Sequence, residues 1–564
     1  MCLRLQRCRP PRAPARGALT RRRPARWEYR RGSTRLHPRR RARRRAHPRL
    51  GAVLSRVSWR AWSWIVPATV ALLALAVRAV RLSAPSRLAF DETYYAKDAW
   101  SLLEHGYVLD YVDGADDRIA DGELSGLFAA EPSWIVHPDG GKWLIAIGES
   151  LFGLTPFGWR ISAAVVGALT VLVLARLLIR LTGAIWVGAL GGLLLALDGV
   201  HFVMSRLALL DVFLAFWLVC AIACLVADRD WLERRLADDD RWRVWRPWQF
   251  VAGLAFGMAT ATKWSGLYVL AAFGLTIVLW EVAARRRCAR TRGSAPPSWW
   301  RGLLRVGVPS FGWLVLVACA VYLASWTGWF VHHEEYERRF GNGYGDYAAW
   351  GHLAEPTGGP IGGAVDALRS WWHFHVMTWD FHTGDYLADK THPYASHPIG
   401  WLLPWRPVAV DTSTDVPAQQ CGAPEDSSCI SEVLILGNPA VWWIGTLALL
   451  AVLVMMFRKP SWRLSVPLVG LAATWLPWFA TADRPIFSFY SVAMAPFLVI
   501  AIGLAANGVH RRCAQRGRGR WSAAALCAYA VVVAALFVYF YPIWTDVLLP
   551  YDSWRQRMWL GTWI

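Results

Sequence analysis

The C-x-x-C spacing of metal-binding cysteines is missing from this 564-residue sequence, whose ten cysteines are scattered. No repeat of fixed period emerges either, which weighs against an internally duplicated transporter. The chain also lacks the polarity of a string of soluble domains. It is 55% hydrophobic, has 37 tryptophans, and its mean hydropathy is +0.27. That balance describes an all-α polytopic membrane protein.

The formal net charge of +21 suggests nucleic acid at first sight, but residues 1–50 hold 19 arginines, no lysine and one glutamate. Nearly all of the excess therefore sits in an arginine- and proline-rich leader without apolar periodicity. Residues 1–60 are expected to be a disordered cytoplasmic leader, and no nucleic-acid partner is expected. The apolar run at 62–81 is too long for the core of a signal peptide and long enough to span a bilayer. Cys421 and Cys429 fall in a long polar loop, where they can pair if that loop faces an oxidising side.

Apolar runs predict eleven spans, near 62–81, 159–179, 183–200, 206–227, 248–263, 266–284, 303–325, 440–457, 464–481, 486–506 and 521–541. The basic connections "DRDWLERRLADDDRWRVWR", "ARRRCARTR", "RKPSWR" and "HRRCAQRGRGR" then share one side with the leader, which the positive-inside rule makes cytoplasmic. Two long acidic segments, 82–158 and 326–439, fall on the opposite side with the C-terminus. The expected organisation is a catalytic region at 61–325 with seven spans, an outer loop at 326–439, and a four-span region at 440–564.

With this topology Asp91, Glu92, His137, Lys142, Arg160, Asp198, His201, Arg206, Asp211 and Lys263 all collect at the outer rim. Ionisable groups at membrane depth are costly and usually line a functional cavity. Each has a plainer reading as well. Asp91 and Glu92 are either solvated loop carboxylates or a like-charged pair whose mutual repulsion tunes a base. The His137–Lys142 turn is either functional or simply the lead-in to an interfacial helix. Arg206 and Asp211 suit an ion pair along a helix face, and Lys263 suits snorkelling. Together they offer cations for a phosphate and carboxylates for a hydroxyl proton.

The stretches "FDETYYAKDAW", "HPDGGKW", "GWRISAAVVGAL", "LDGVHFVMSRLALLD" and "ATKWSGL" resemble, in order and spacing, the protein O-mannosyltransferases that use polyprenyl-phosphate mannose. "SHPIGWLLPWRPV", "GNPAVWW" and "RPIFSFYSVAMAPFL" extend the resemblance through the C-terminal half, so that it covers roughly residues 60–545. Two departures stand out. Asp139 replaces the second proline of the family's His-Pro-Pro, and the large insert of eukaryotic members is absent.

The resemblance implies a GT-C glycosyltransferase of the plasma membrane, with its catalytic cavity on the outer face. It implies transfer of mannose, with inversion, from polyprenyl-phosphate mannose to Ser and Thr hydroxyls of secreted polypeptides, beside the secretion channel. Asp91 would be the general base and Glu92 its catalytic partner. Arg160, Arg206, Lys263 and Lys142 would bind the donor phosphate, supported by His137, Asp198, Asp211 and Trp264. No cofactor is required on this reading, although the acidic pair has the oxygen ligands that suit Mg2+ or Mn2+. In "WWHFHVMTWDFHTGD", His373, His375 and His382 suggest zinc less than an aromatic face on a membrane or peptide. The rivals are a pentose- or aminopentose-transferring enzyme of the same superfamily and, from another class, a transporter.

Overall fold

The computed structural model describes residues 58–239, 241–341, 357 and 359–564. The expectation of a disordered leader lies almost entirely outside these residues. Sixteen principal helices organise the described residues. The first half contains α1 (Trp59–Ala79), α2 (Glu92–His105), α3 (Gly140–Phe152), α4 (Pro156–Thr182), α5 (Ile185–Ala196), α6 (Gly199–Met204), α7 (Leu210–Asp238), α8 (Pro247–Thr262), α9 (Gly266–Thr291) and α10 (Trp299–Ser325). Then come α11 (His333–Phe340), α12 (Gly362–Thr383), α13 (Pro439–Arg458), α14 (Trp462–Thr481), α15 (Ala495–Gln515) and α16 (Gly519–Trp544).

Local chemistry sets many of the ends. The Ser58, Thr155, Asp198 and Asn438 side chains accept from the first-turn amides of α1, α4, α6 and α13, and Pro156 and Pro439 occupy first positions that need no amide donor. Gly183 closes α4 at φ 73°, a conformation that strains a residue bearing a Cβ. In α10, Pro309 is followed by a π-helical turn at Gly312–Leu316.

All eleven expected spans coincide with a helix. Among the described residues, eight helices are long and apolar enough to cross a membrane by length and composition: α1, α4, α7, α9, α10, α13, α14 and α16. The other three fall short: α5 has 12 residues, α8 has 16, and α15 turns polar from Asn507 to Arg512. Helix length alone therefore supports fewer crossings than the eleven expected. α15 is nonetheless central, since every residue from Ala495 to Leu504 is buried. Backbones approach closely around it: a Cβ at Gly470 would lie 2.2 Å from the Phe497 ring.

At one end of the bundle, Arg246 pairs with Asp228 and Glu281, and Arg285 donates to Glu281 at 2.8 Å, tying α7, α8 and α9 together. The two long loops meet at the other end. Arg87 pairs with Asp411 at 2.7 Å and Arg339 with Asp110 at 2.9 Å. Val108, Ile135, Trp329, Tyr336, Phe340 and Phe374 form a shared apolar core beneath them.

Small sheets punctuate this end, which the all-helical expectation did not include. β1 (Leu109–Tyr111) pairs antiparallel with β2 (Phe128–Pro132). β3 (Val408–Pro417), β4 (Ser428–Ile435) and β5 (Leu549–Pro550) form an antiparallel sheet in that order. A disulfide joins Cys421 to Cys429 across the β3–β4 connection. The interfacial helix expected after the His137–Lys142 turn is α3, whose Trp143, Ile147 and Leu151 form an exposed apolar stripe opposite buried Lys142, Ile145 and Glu149.

Candidate active site

The two adjacent carboxylates have different fates. Glu92, fully buried, accepts from Arg160 Nε and Nη2 at 2.8 and 2.6 Å and from the amides of Ala89 and Ala208 at 2.9 and 2.8 Å. The remaining Arg160 donors reach the carbonyls of Leu82, Pro85 and Arg87. This buried pair fastens the turn before α2 to α4 and to the start of α7. Glu92 is therefore unsuited to the catalytic role expected of it, and Arg160 has no donors left for a phosphate.

Asp91 sits on that turn without an ion-pair partner among the described residues, its carboxylate hydrogen-bonded by Tyr95. Burial raises its pKa to about 6 against the opposing pull of Lys263. Phe90 before it is held at φ 52°, an uncommon conformation for a residue with a Cβ. Its ring is wedged edge-on against His392, Phe487 and Phe489. The C-terminal half of the chain thus helps to set the backbone at Asp91.

Lys263, at the end of α8, donates to Asp211 at 2.7 Å and lies 4.8 Å from the centroid of the Tyr490 ring. A narrow crevice adjoins this pair, lined by Asp211, Leu214, Leu218, Tyr268, Trp478 and Tyr490 among others. Its wall turns from polar to apolar between α7, α9 and α14.

Lys142 lies between Asp98 at 3.0 Å and Asp139 at 3.1 Å. Burial opposes its charge, but the two carboxylates outweigh that and raise its pKa. Asp139, the departure from the family's proline, thus supplies a buried counter-charge. Arg206 donates to the carbonyls of Arg78, Val80 and Arg81 and caps the C-terminus of α1. Asp198 caps α6 and accepts from the Asn438 amide and Trp442 Nε1. His201 is buried against Arg78, 3.0 Å away. Lys142 and Arg206 are thus committed to partners within the protein, and the phosphate-binding roles expected of them are not supported by the geometry.

Helix α12 supplies a face that sequence reasoning left unassigned. Trp264 Nε1 donates to the Tyr322 hydroxyl at 2.7 Å, and that hydroxyl lies 2.7 Å from His375 Nε2. His375 Nδ1 lies 2.8 Å from the Trp371 carbonyl, so it carries the proton and Nε2 accepts from Tyr322. His382 stacks on His137 at 5.6 Å, and His137 lies 6.2 Å from Tyr95. Burial, with Lys263 and Arg484 adding repulsion, holds both His137 and His382 neutral, His382 at about 4. Among the described residues no group of three or more His, Cys, Asp and Glu side chains could hold a metal ion. Glu92 gives its oxygens to Arg160 and two amides, and the two ring nitrogens of His375 are engaged by Tyr322 and the Trp371 carbonyl.

Sequence reasoning also missed Arg484 and Tyr490, which stand close enough to influence this cluster electrostatically. Both lie in "RPIFSFYSVAMAPFL", quoted for its likeness to the family but not searched for site residues.

A family model described as dolichyl-phosphate-mannose-protein mannosyltransferase matches residues 68–331, and one described as the C-terminal four TMM region of protein-O-mannosyltransferase matches residues 367–563. The chain is 36% identical over 524 residues to a polyprenol-phosphate-mannose--protein mannosyltransferase of Mycolicibacterium smegmatis, covering 89% of this chain and 93% of the relative. It is 30% identical to the protein of that name from Corynebacterium glutamicum, over 90% of this chain and 95% of the relative. Among solved structures, the S. cerevisiae protein O-mannosyltransferase Pmt1-Pmt2 complex bound to the sugar donor matches with a TM-score of 0.65 at 15% identity, covering 91% of this chain and 94% of that one. This last likeness speaks for the fold.

Proposed function

This chain belongs to the dolichyl-phosphate-mannose-protein mannosyltransferase family, and on that premise we propose that it transfers mannose from polyprenyl-phosphate mannose to Ser or Thr hydroxyls, with Asp91 as the general base. The observation that carries the assignment is the split of the acidic pair. Glu92 is bound on all sides, whereas Asp91 has no ion-pair partner among the described residues and feels the charges of Lys263 and of Asp211, which lines the crevice.

In this reading the acceptor oxygen attacks the mannose anomeric carbon while the bond from that carbon to the phosphate oxygen breaks. The hydroxyl proton passes to Asp91, and polyprenyl phosphate departs with the bonding electrons. Attack opposite the leaving group inverts the anomeric carbon, from a β-linked donor to an α-linked product. A carboxylate titrating near 6 is ionised at neutral pH yet remains a better base than an ordinary aspartate. Lys263 places positive charge near the departing phosphate, with Asp211 fixing the ammonium. The polyprenyl tail would run along the apolar part of the crevice, which keeps the reactive carbon at headgroup depth.

Eleven crossings, with the N-terminal side cytoplasmic and the site and C-terminus outside the plasma membrane, fit the basic connections at the opposite end of the bundle. The disulfide between Cys421 and Cys429 supports an oxidising environment on the site's side. An acceptor modified there is still unfolded as it emerges, so the enzyme would work beside the secretion channel. The family assignment leaves the transporter and pentosyl-transfer readings without support.

The test is transfer of labelled mannose from polyprenyl-phosphate mannose to a Ser/Thr-rich peptide in membranes carrying the protein or Asp91→Asn at equal abundance. Transfer by the first and a loss of about a hundredfold or more in the second is expected for a general base. Equal transfer by both removes Asp91 from the mechanism.

A further inference from the structure

A phosphate that leaves gains negative charge as its bond breaks, so the cation that serves it best is one not already neutralised by a carboxylate. The cations of the site differ sharply in this respect. Lys142 has two carboxylates, Lys263 has Asp211, Arg160 has Glu92 and three carbonyls, and Arg206 has three carbonyls.

Arg484 differs from all of them. Its side chain is half-buried, its Nε is enclosed without a hydrogen-bond partner, and no carboxylate among the described residues lies within ion-pair distance. Its charge is nonetheless felt by His137, His382 and Tyr490, the groups around Asp91 and Lys263. An enclosed Nε without an acceptor is unfavourable, and a ligand oxygen that accepts from it would relieve that cost.

The segment that carries Arg484 is held on both flanks. Ile486, two residues on, is buried and its carbonyl accepts from the Ser396 amide at 2.8 Å. Phe487 packs on Phe90 and His392, and Tyr490 faces Lys263. The guanidinium is thus presented from a braced backbone, and its planar fork suits two phosphate oxygens at once.

We infer that Arg484 receives the phosphate of the polyprenyl donor and holds it as the leaving group, with Lys263, which faces the Tyr490 ring, as the second cation. The inference rests on the donor class assigned above. It gives the two cations different tasks. Lys263, tethered to Asp211, orders the site before substrate arrives, and Arg484 acquires its counter-charge only with the lipid phosphate.

The experiment uses the full chain in lipid nanodiscs, as wild type, Arg484→Gln and Arg484→Lys, with a synthetic polyprenyl phosphate as probe. Binding is read directly from the shift in unfolding temperature against probe concentration, a readout that needs no mannose transfer. Arg484→Gln is expected to bind the probe at least about thirtyfold more weakly, as truncation of one side of a charge-assisted contact does. Arg484→Lys should recover part of that loss, and the KM for acceptor peptide should stay unchanged in both variants.

Equal binding by wild type and variants overturns the assignment, including the outcome in which none of them binds. Binding that depends on Arg484 without any mannose transfer by wild type overturns the proposed reaction and leaves the phosphate site standing. Should Arg484→Gln fail to fold, Arg484→Lys carries the comparison. It keeps the charge but loses the fork, so binding equal to wild type counts against the inference.

Discussion

Arg160 and Glu92 form a two-pronged ion pair across 68 residues of sequence, with both side chains shut away from solvent. The acid next to it, Asp91, is left out of that pair. A single residue step along the turn therefore separates a carboxylate bound on all sides from the one proposed as the base.

Replacing Arg160 with Met strands Glu92 as a buried charge whose remaining partners are backbone amides. The expected outcome is a loss of about 3–5 kcal/mol of stability, as for other buried pairs broken on one side. Thermal unfolding in detergent or nanodiscs checks it, and a variant as stable as wild type would show that the pair does not hold the turn.

The pH dependence of transfer follows from Asp91. Its pKa is raised to about 6, chiefly by burial, and only the ionised form accepts a proton. Transfer at limiting donor should therefore fall as pH drops through 6 and level off above about 7, with close to a tenfold change per pH unit on the acid limb. A profile flat from pH 5 to 8 would contradict a base with this pKa.

Cys421 and Cys429 close a short loop over the outer sheet. Changing both to serine is expected to lower the stability of that hairpin by about 2–3 kcal/mol, the loop-closure value for a ring of this size. The same pair reports sidedness. After mild reduction of intact cells, a membrane-impermeant maleimide should label them, and labelling only after lysis would invert the proposed orientation.

Helix α12 presents Leu368, Trp372, Val376 and Trp379 outward along one stripe, His375 and His382 lie along one edge of it, and Ser370, Phe374 and Met377 form the buried face. Tryptophan on such a stripe favours headgroup depth. A fluorophore on Trp372→Cys should be quenched by lipids bearing a nitroxide near the headgroup more than by lipids bearing it at the chain end. Quenching by neither would place this face in water.

Hydropathy makes the bundle legible because a span must be apolar over its own length, whatever its neighbours do. The same holds for α3, whose exposed stripe follows from local spacing. Pairing is another matter. Which of Asp91 and Glu92 is free depends on where Arg160 and the Ala208 amide lie, and neither is local to the turn. Gathering Lys142, Arg160, Arg206 and Lys263 at one rim was within reach of charge counting, but their commitments to carboxylates and carbonyls were not. Arg484 left no local mark, since one arginine in a short turn between spans looks like any other solvated residue.

β3 and β4 were hidden for a related reason. β4 is buried along nearly its whole length, so it shows no alternation, and β5 joins the sheet from beyond the last helix. Such a strand is recognised only once its partners are known.

The late return of the chain to this sheet has a consequence for biogenesis. Asp91 and Lys263 are made early, yet Arg484 and Tyr490 come from the second half, and Leu549 and Pro550 pair with Ile430 and Cys429 after α16. While translation is under way, the nascent chain holds its acid and its lysine without the groups that would grip a donor. On the roles proposed for Asp91 and Arg484, a lipid-linked sugar would meet a complete site only after most of the polypeptide has been made.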